Sequence, residues 1–152
     1  MPFLRRSENS QADTEANSTV VDISAADISF RRIPPLLVVN DPKVPGGRRA
    51  SSAAFGDDPD GSSMSVYIRS IVFELGLTEA DVIHGKQAGW AVAAIPNQTL
   101  IDEEQLIRHK PEVDSLNPHP CDPAHALVHG NKGQKARRDR IARSAPLIHI
   151  VS

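Results

Sequence analysis

Four side chains that can bind metal or carry protons fall within eleven residues: His119, Cys121, His125 and His129. Thiolate sulfur and neutral imidazole are the donors zinc prefers, and four of them would close a tetrahedral site. His125 and His129 are four residues apart, so they share a face in either a helix or a strand. No C-x-x-C is present and the spacing is not that of a common zinc motif. The competing reading is a polar turn with one buried cysteine acting as a small hydrophobe. Zinc is the one cofactor this pattern suggests.

His125 also supports a second chemistry. It follows Pro123 and precedes an apolar run, which puts it at a strand entrance, where rigid scaffolds often carry function. Arg31 and Arg32 could reach it, as could Ser51, Ser52 and Ser65. Arginine, serine and histidine together can hold a phosphate and move a proton, as a nuclease or nucleotide-modifying enzyme requires. The plainer alternative is arginines in ion pairs and serines capping turns. Gly130-Asn-Lys-Gly133 offers a third chemistry. Successive amides opening a helix can cradle a phosphate, with Lys132 and Lys135 adding charge, although a glycine turn alone is common. The spacing resembles the loop of KH domains, but Arg137 and Arg138 fall where that fold expects apolar residues.

Charge is unevenly placed. The net charge of the 152 residues is -2. Asn131–Ser152 holds Lys132, Lys135, Arg137, Arg138, Arg140 and Arg143 against one acid, Asp139, so this stretch carries +5 and the first 130 residues carry -7. Nucleic acid is a partner such a basic helix could take; a solvated helix face balancing an acidic body is the alternative. Aromatics are only 4% of the chain, and Trp90 and Phe73 sit in apolar runs that read as core, which argues against base stacking.

These residues need positioning elements. The length suits one domain. No apolar stretch approaches the ~18 residues of a spanning helix, and recurring prolines break any heptad pattern. One cysteine excludes an intrachain disulfide, and no secretory signal is visible, so the expected location is cytoplasmic with no membrane partner. Residues 1–26 read as a disordered tail and 27–152 as one domain. Strands are expected at Ile28–Ile33, Leu36–Val39, Met64–Ile68, Trp90–Ile95, Ala126–His129 and Leu147–Val151. Helices are expected from Ile68 to Gly76, from Thr78 to Gly85, over Ile101–His109, whose charges run acid to base along the helix dipole, and over Gly133–Ala145 with Ala136, Ile141, Ala142 and Ala145 inward. Irregular interleaving of strands and helices indicates an α+β fold with a small mixed sheet.

The order Phe30-Arg-Arg-Ile-Pro34, Ser51-Ser-Ala-Ala-Phe55, Met64-Ser-Val66 and Asp122-Pro-Ala-His-Ala-Leu-Val-His-Gly130 resembles that of a group of small bacterial proteins with no established activity. The resemblance covers about Ile28 to Ala145 and implies that these segments form one module. More distantly, Phe30-Arg31-Arg32 followed by Ser51-Ser52 resembles the order of motifs in ADP-ribosyltransferases, without the glutamate that often completes that set.

With no complete catalytic motif present, the sequence points first to a non-enzymatic accessory or interaction protein with a protein partner, in a bacterial assembly such as a defence or toxin-related system. One alternative is a small nuclease or nucleotide-modifying enzyme using His125 with Arg31 or Arg32. Another is a nucleic-acid binder acting through the basic C-terminal helix.

Overall fold

Alternating apolar side chains build a six-stranded sheet at the centre of the computed structural model, which describes residues 20–112 and 116–152. The strands are β1 (Ile28–Ile33), β4 (Met64–Ile68), β5 (Ala91–Pro96), β6 (Leu106–His109), β7 (His125–His129) and β8 (Leu147–Ile150), in the spatial order β6-β7-β4-β1-β5-β8. A separate ribbon pairs β2 (Val38–Asn40) with β3 (Arg48–Ala50). The helices are α1 (Arg69–Glu74), α2 (Glu79–Val82), α3 (Asn97–Asp102) and α4 (Lys135–Ser144). The fold is α+β. Every pairing described is antiparallel, where the sequence reading expects a mixed sheet.

Strand periodicity sorts the side chains onto two faces. One face presents Ile33, Met64, Val66, Ala93, Ile95 and Val128, covered by Ala54 and Phe55 of the 3-10 turn at Ser52–Phe55, Leu100 of α3, and Ile141 and Ala142 of α4. The other presents Phe30, Tyr67, Val92 and Ala94, covered by Val72 of α1, Val82 of α2, Ile83, Cys121 and Ala124. The sheet is therefore clothed on both sides.

Several local expectations need correction. Leu36–Val39 is not a buried strand. Pro34 and Pro35 fix their φ angles and start a 3-10 turn over Pro35–Leu37, which leaves Leu36 exposed and only Val38–Asn40 as a short strand. Ile101–His109 is not one helix. α3 begins four residues earlier and ends at Asp102. Glu104 then adopts a positive φ of 63°, and the chain turns into strand β6. The acids Asp102, Glu103 and Glu104 thus crowd the end of α3, where the dipole disfavours them. Arg140 offsets this at Glu103, holding its carboxylate through two contacts of 2.8 Å. Ala136 is exposed, whereas Ile141, Ala142 and Ala145 are buried. Phe73 is likewise exposed, lying under the Arg69 guanidinium.

Residues 1–19 of the expected tail lie outside the described residues. Val20–Ala26 are held to the domain: the Val21 amide donates to His109 Nδ1 at 3.0 Å, the Ser24 carbonyl accepts from Asn97 Nδ2 at 3.0 Å, and Ile23 packs on the core.

Candidate functional site

Arg31 and Arg32 are neighbours in β1, so they point to opposite faces. Arg31 enters the face covered by Phe55. Its guanidinium donates to the Ala54 carbonyl at 3.0 Å, the Ser65 carbonyl at 2.9 Å and the Asp58 carboxylate at 3.0 Å. Burial pulls its pKa below the ordinary arginine value, with Asp58 opposing the shift. Arg32 faces the other way. Its guanidinium lies over the Tyr67 ring, 5.2 Å from the centroid, with no hydrogen-bond acceptor or carboxylate against it among the described residues.

Around Arg32 the second face gathers polar side chains. In β4 and β7, Tyr67 pairs with His125 and Ser65 with Leu127, so Ser65 and His125 are diagonal neighbours on one face. Ser65 Oγ lies 3.2 Å from His125 Nε2. His125 Nδ1 lies 2.8 Å from the Lys110 carbonyl oxygen. A carbonyl only accepts, so the proton sits on Nδ1 and Nε2 is left to accept from the serine. The Glu112 carboxylate stands 3.9 Å from the same Nδ1. This is the arrangement of a hydroxyl, a base and an orienting group that activated serines use. The backbone positions it: His125 follows the 3-10 turn at Asp122–Ala124, and the Lys110 amide donates to the His125 carbonyl at 2.9 Å.

Aromatic rings extend the site. Tyr67 stacks on His119 with centroids 5.5 Å apart and meets His125 edge-on at 5.7 Å. His84 closes on His119 from the side at 6.1 Å. His119 Nδ1 accepts from the Cys121 amide at 3.0 Å, which puts the ring proton on Nε2. Among the described residues that buried nitrogen has the Val82 carbonyl nearby but no acceptor in good hydrogen-bond geometry. Desolvation pulls the His119 pKa below its ordinary value, and the nearby Arg32 charge pulls in the same direction. Desolvation raises the Tyr67 hydroxyl, against the lowering effect of Arg32.

The structure does not bring the four expected zinc ligands together. His125 and His129 share a face, but four residues of strand separate them by about 13 Å. His129 Nδ1 instead pairs with Ser63 Oγ at 2.8 Å. Burial pushes the Cys121 thiol up to about 12, far from the thiolate that binds metal. Among the described residues no group of three or more His, Cys, Asp or Glu side chains could hold a metal ion.

The basic residues of the Gly130–Gly133 turn and α4 are mostly engaged within the protein. Lys132 is buried, its ammonium donating to Asp57 at 2.7 Å and to the Val128 and Gly130 carbonyls at 2.7 and 3.1 Å. Arg137 donates to the Asn131 carbonyl at 3.0 Å and to Glu104 at 3.2 Å. Arg138 donates to the Lys132 carbonyl at 2.6 Å, Arg140 grips Glu103, and Lys135 pairs with Asp139 at 2.9 Å. Arg143 has no ion-pair partner among the described residues. Ser51 caps its own turn by accepting from the Ala53 amide at 3.3 Å.

Sequence reasoning placed Arg32, Ser65 and His125 among the candidates but left out Tyr67, His84 and Glu112 as site residues. Alternation in β1 and β4 was the available signal for Tyr67, which lies on the same face as Phe30 and Arg32. Nothing local signals His84 or Glu112, because they arrive from separate loops. Among the described residues no helix is long and apolar enough to cross a membrane. No protein-family model, curated protein or solved structure matches this chain.

Proposed function

We propose that the protein is a small enzyme acting on a phosphate ester, with Ser65 as nucleophile, His125 as general base and Arg32 as the anion-holding cation. The single observation behind this reading is the polarity of the Ser65–His125–Lys110 chain. His125 is oriented by a carbonyl so that its bare nitrogen faces the hydroxyl of a partly buried serine.

In the proposed reaction, Ser65 Oγ attacks phosphorus and its proton passes to His125 Nε2. The bond to the leaving oxygen breaks, and His125 returns the proton to that oxygen. Water then releases the phosphoryl group from Ser65 by the same route in reverse. Glu112 stabilises the transient imidazolium, and Arg32 stabilises charge on the non-bridging oxygens.

The test is turnover of bis(p-nitrophenyl) phosphate and of nucleotide esters by the full chain. Ser65→Ala and His125→Gln are each expected to lower kcat by about a hundredfold or more. Arg32→Ala is expected to lower kcat and kcat/KM together. Turnover unchanged by Ser65→Ala overturns the reading. So does the absence of turnover by the wild-type protein, which would favour an accessory protein that binds without chemistry.

A further inference from the structure

On the other side of the sheet, a groove of about 700 Å³ opens between the β2–β3 ribbon and α4. That volume is in the range of small-molecule sites. Five cations line it. Arg49 is held by Asp41 at 2.8 Å and Lys135 by Asp139 at 2.9 Å, so those two pairs cancel. Lys43, Arg48 and Arg143 are exposed, and their side chains make no hydrogen bond and no ion pair within 4 Å among the described residues, Asp41 acting on Lys43 and Asp139 on Arg143 only from farther away. The groove therefore carries a net charge near +3. Its remaining lining is apolar, from Val44 and Pro45 on one side and Ala142 and Leu147 on the other.

Three cations left unpaired over an apolar lining suit a ligand with several negative charges and a flat or apolar body. Arginine at two of the three positions favours phosphate oxygens, which a guanidinium grips through two parallel donors. We propose that this groove binds a nucleotide-sized organic polyphosphate. Phosphates would lie against Lys43, Arg48 and Arg143, and the base would lie against the apolar lining. The groove shares no residue with the Ser65 site, so the two proposals stand or fall separately.

Calorimetric titration of the full chain with ATP at low salt tests it. ATP is expected to bind, inorganic pyrophosphate to compete, and affinity to fall as salt screens the exposed charges. Arg48→Glu and Arg143→Glu are each expected to weaken binding by about tenfold or more, the worth of a charge-assisted contact. Arg48→Gln and Arg143→Gln, with folding checked by circular dichroism, provide milder variants with the same direction of effect. Ser65→Ala is expected to bind ATP as the wild type does. The proposal is overturned if neither ATP nor pyrophosphate binds, or if the arginine variants bind unchanged. It is also overturned if adenosine competes where pyrophosphate does not, or if only a single-stranded oligonucleotide binds.

Discussion

Arg31 and Arg32 are adjacent in sequence and identical in chemistry, yet the sheet sends them into opposite environments. On one face Arg31 is enclosed by two carbonyls and a carboxylate. On the other, Arg32 lies half-buried against an aromatic ring without an acceptor among the described residues. A buried guanidinium gripped by three acceptors holds structure together. One left unsaturated beside a serine, a histidine and a tyrosine is available to a ligand. Pairing status, more than residue type, separates these two charges in this molecule.

The largest effect expected from this contrast is on stability. Arg31→Ala removes the cation from a largely buried pair and leaves Asp58 and two carbonyls without their donor, which is expected to cost about 3 kcal/mol in urea unfolding. Arg32→Ala loses only its contact with the Tyr67 ring, about 0.5 to 1 kcal/mol. Equal losses in the two variants would break the contrast. A stable Arg32 variant with impaired turnover would sharpen it.

The turn at Gly130 extends the same logic to backbone. Gly130 has φ +149°, and a Cβ there would stand 2.6 Å from Gln105 Oε1. Gln105 is buried, with its amide nitrogen donating to the Glu103 and Asn131 carbonyls at 3.1 Å each, so it has little freedom to withdraw. Gly130→Ala is expected to destabilise by about 2 kcal/mol through backbone strain and this clash, read as a lowered midpoint in urea. The turn is then a structural junction that gathers Lys132, Arg137 and Arg138 inward. A neutral outcome would mean that the turn is loose enough to accept a ligand after all.

How much of this was legible beforehand follows from the range over which each signal acts. β1, β4, α1, the capping box of Thr78 with Asp81, and α4 were readable because their determinants are local: alternation, a 3.6-residue stripe, a cap. The Ile101–His109 segment was misread because its charge order suited a helix dipole, while the deciding influences were distant. These are the pairing of Leu106–His109 with β7 and the grip of Arg140 on Glu103. The basic helix admits two readings from sequence, a nucleic-acid surface or a solvated face, for a related reason. A count of charges cannot show that Glu103, Glu104, Asp57 and backbone carbonyls take most of them up. His125 and Ser65 were visible as types, but their 3.2 Å approach depends on a strand register that no short motif encodes.

The smallest expected effect concerns pH, and it bears on whether the Arg32 face is ready for a ligand when empty. His119 has its pKa lowered from 6.5 by desolvation first and by Arg32 second. In the window between the lowered folded value and 6.5, the unfolded chain binds more protons than the folded one, so stability rises with pH there. The contribution is full above about pH 6.5 and is lost as pH falls through that window. Thermal unfolding followed from pH 7.5 to 5 should show a decline in Tm that is reduced in His119→Gln. Arg32→Gln should shrink the same decline partly, because it removes one lowering cause and leaves burial and the neighbouring His84 in place. If His119→Gln leaves the profile unchanged, the ring is solvated in the ligand-free protein. The Arg32 face would then be open to water and not, as its stacked rings suggest, held ready for an anion.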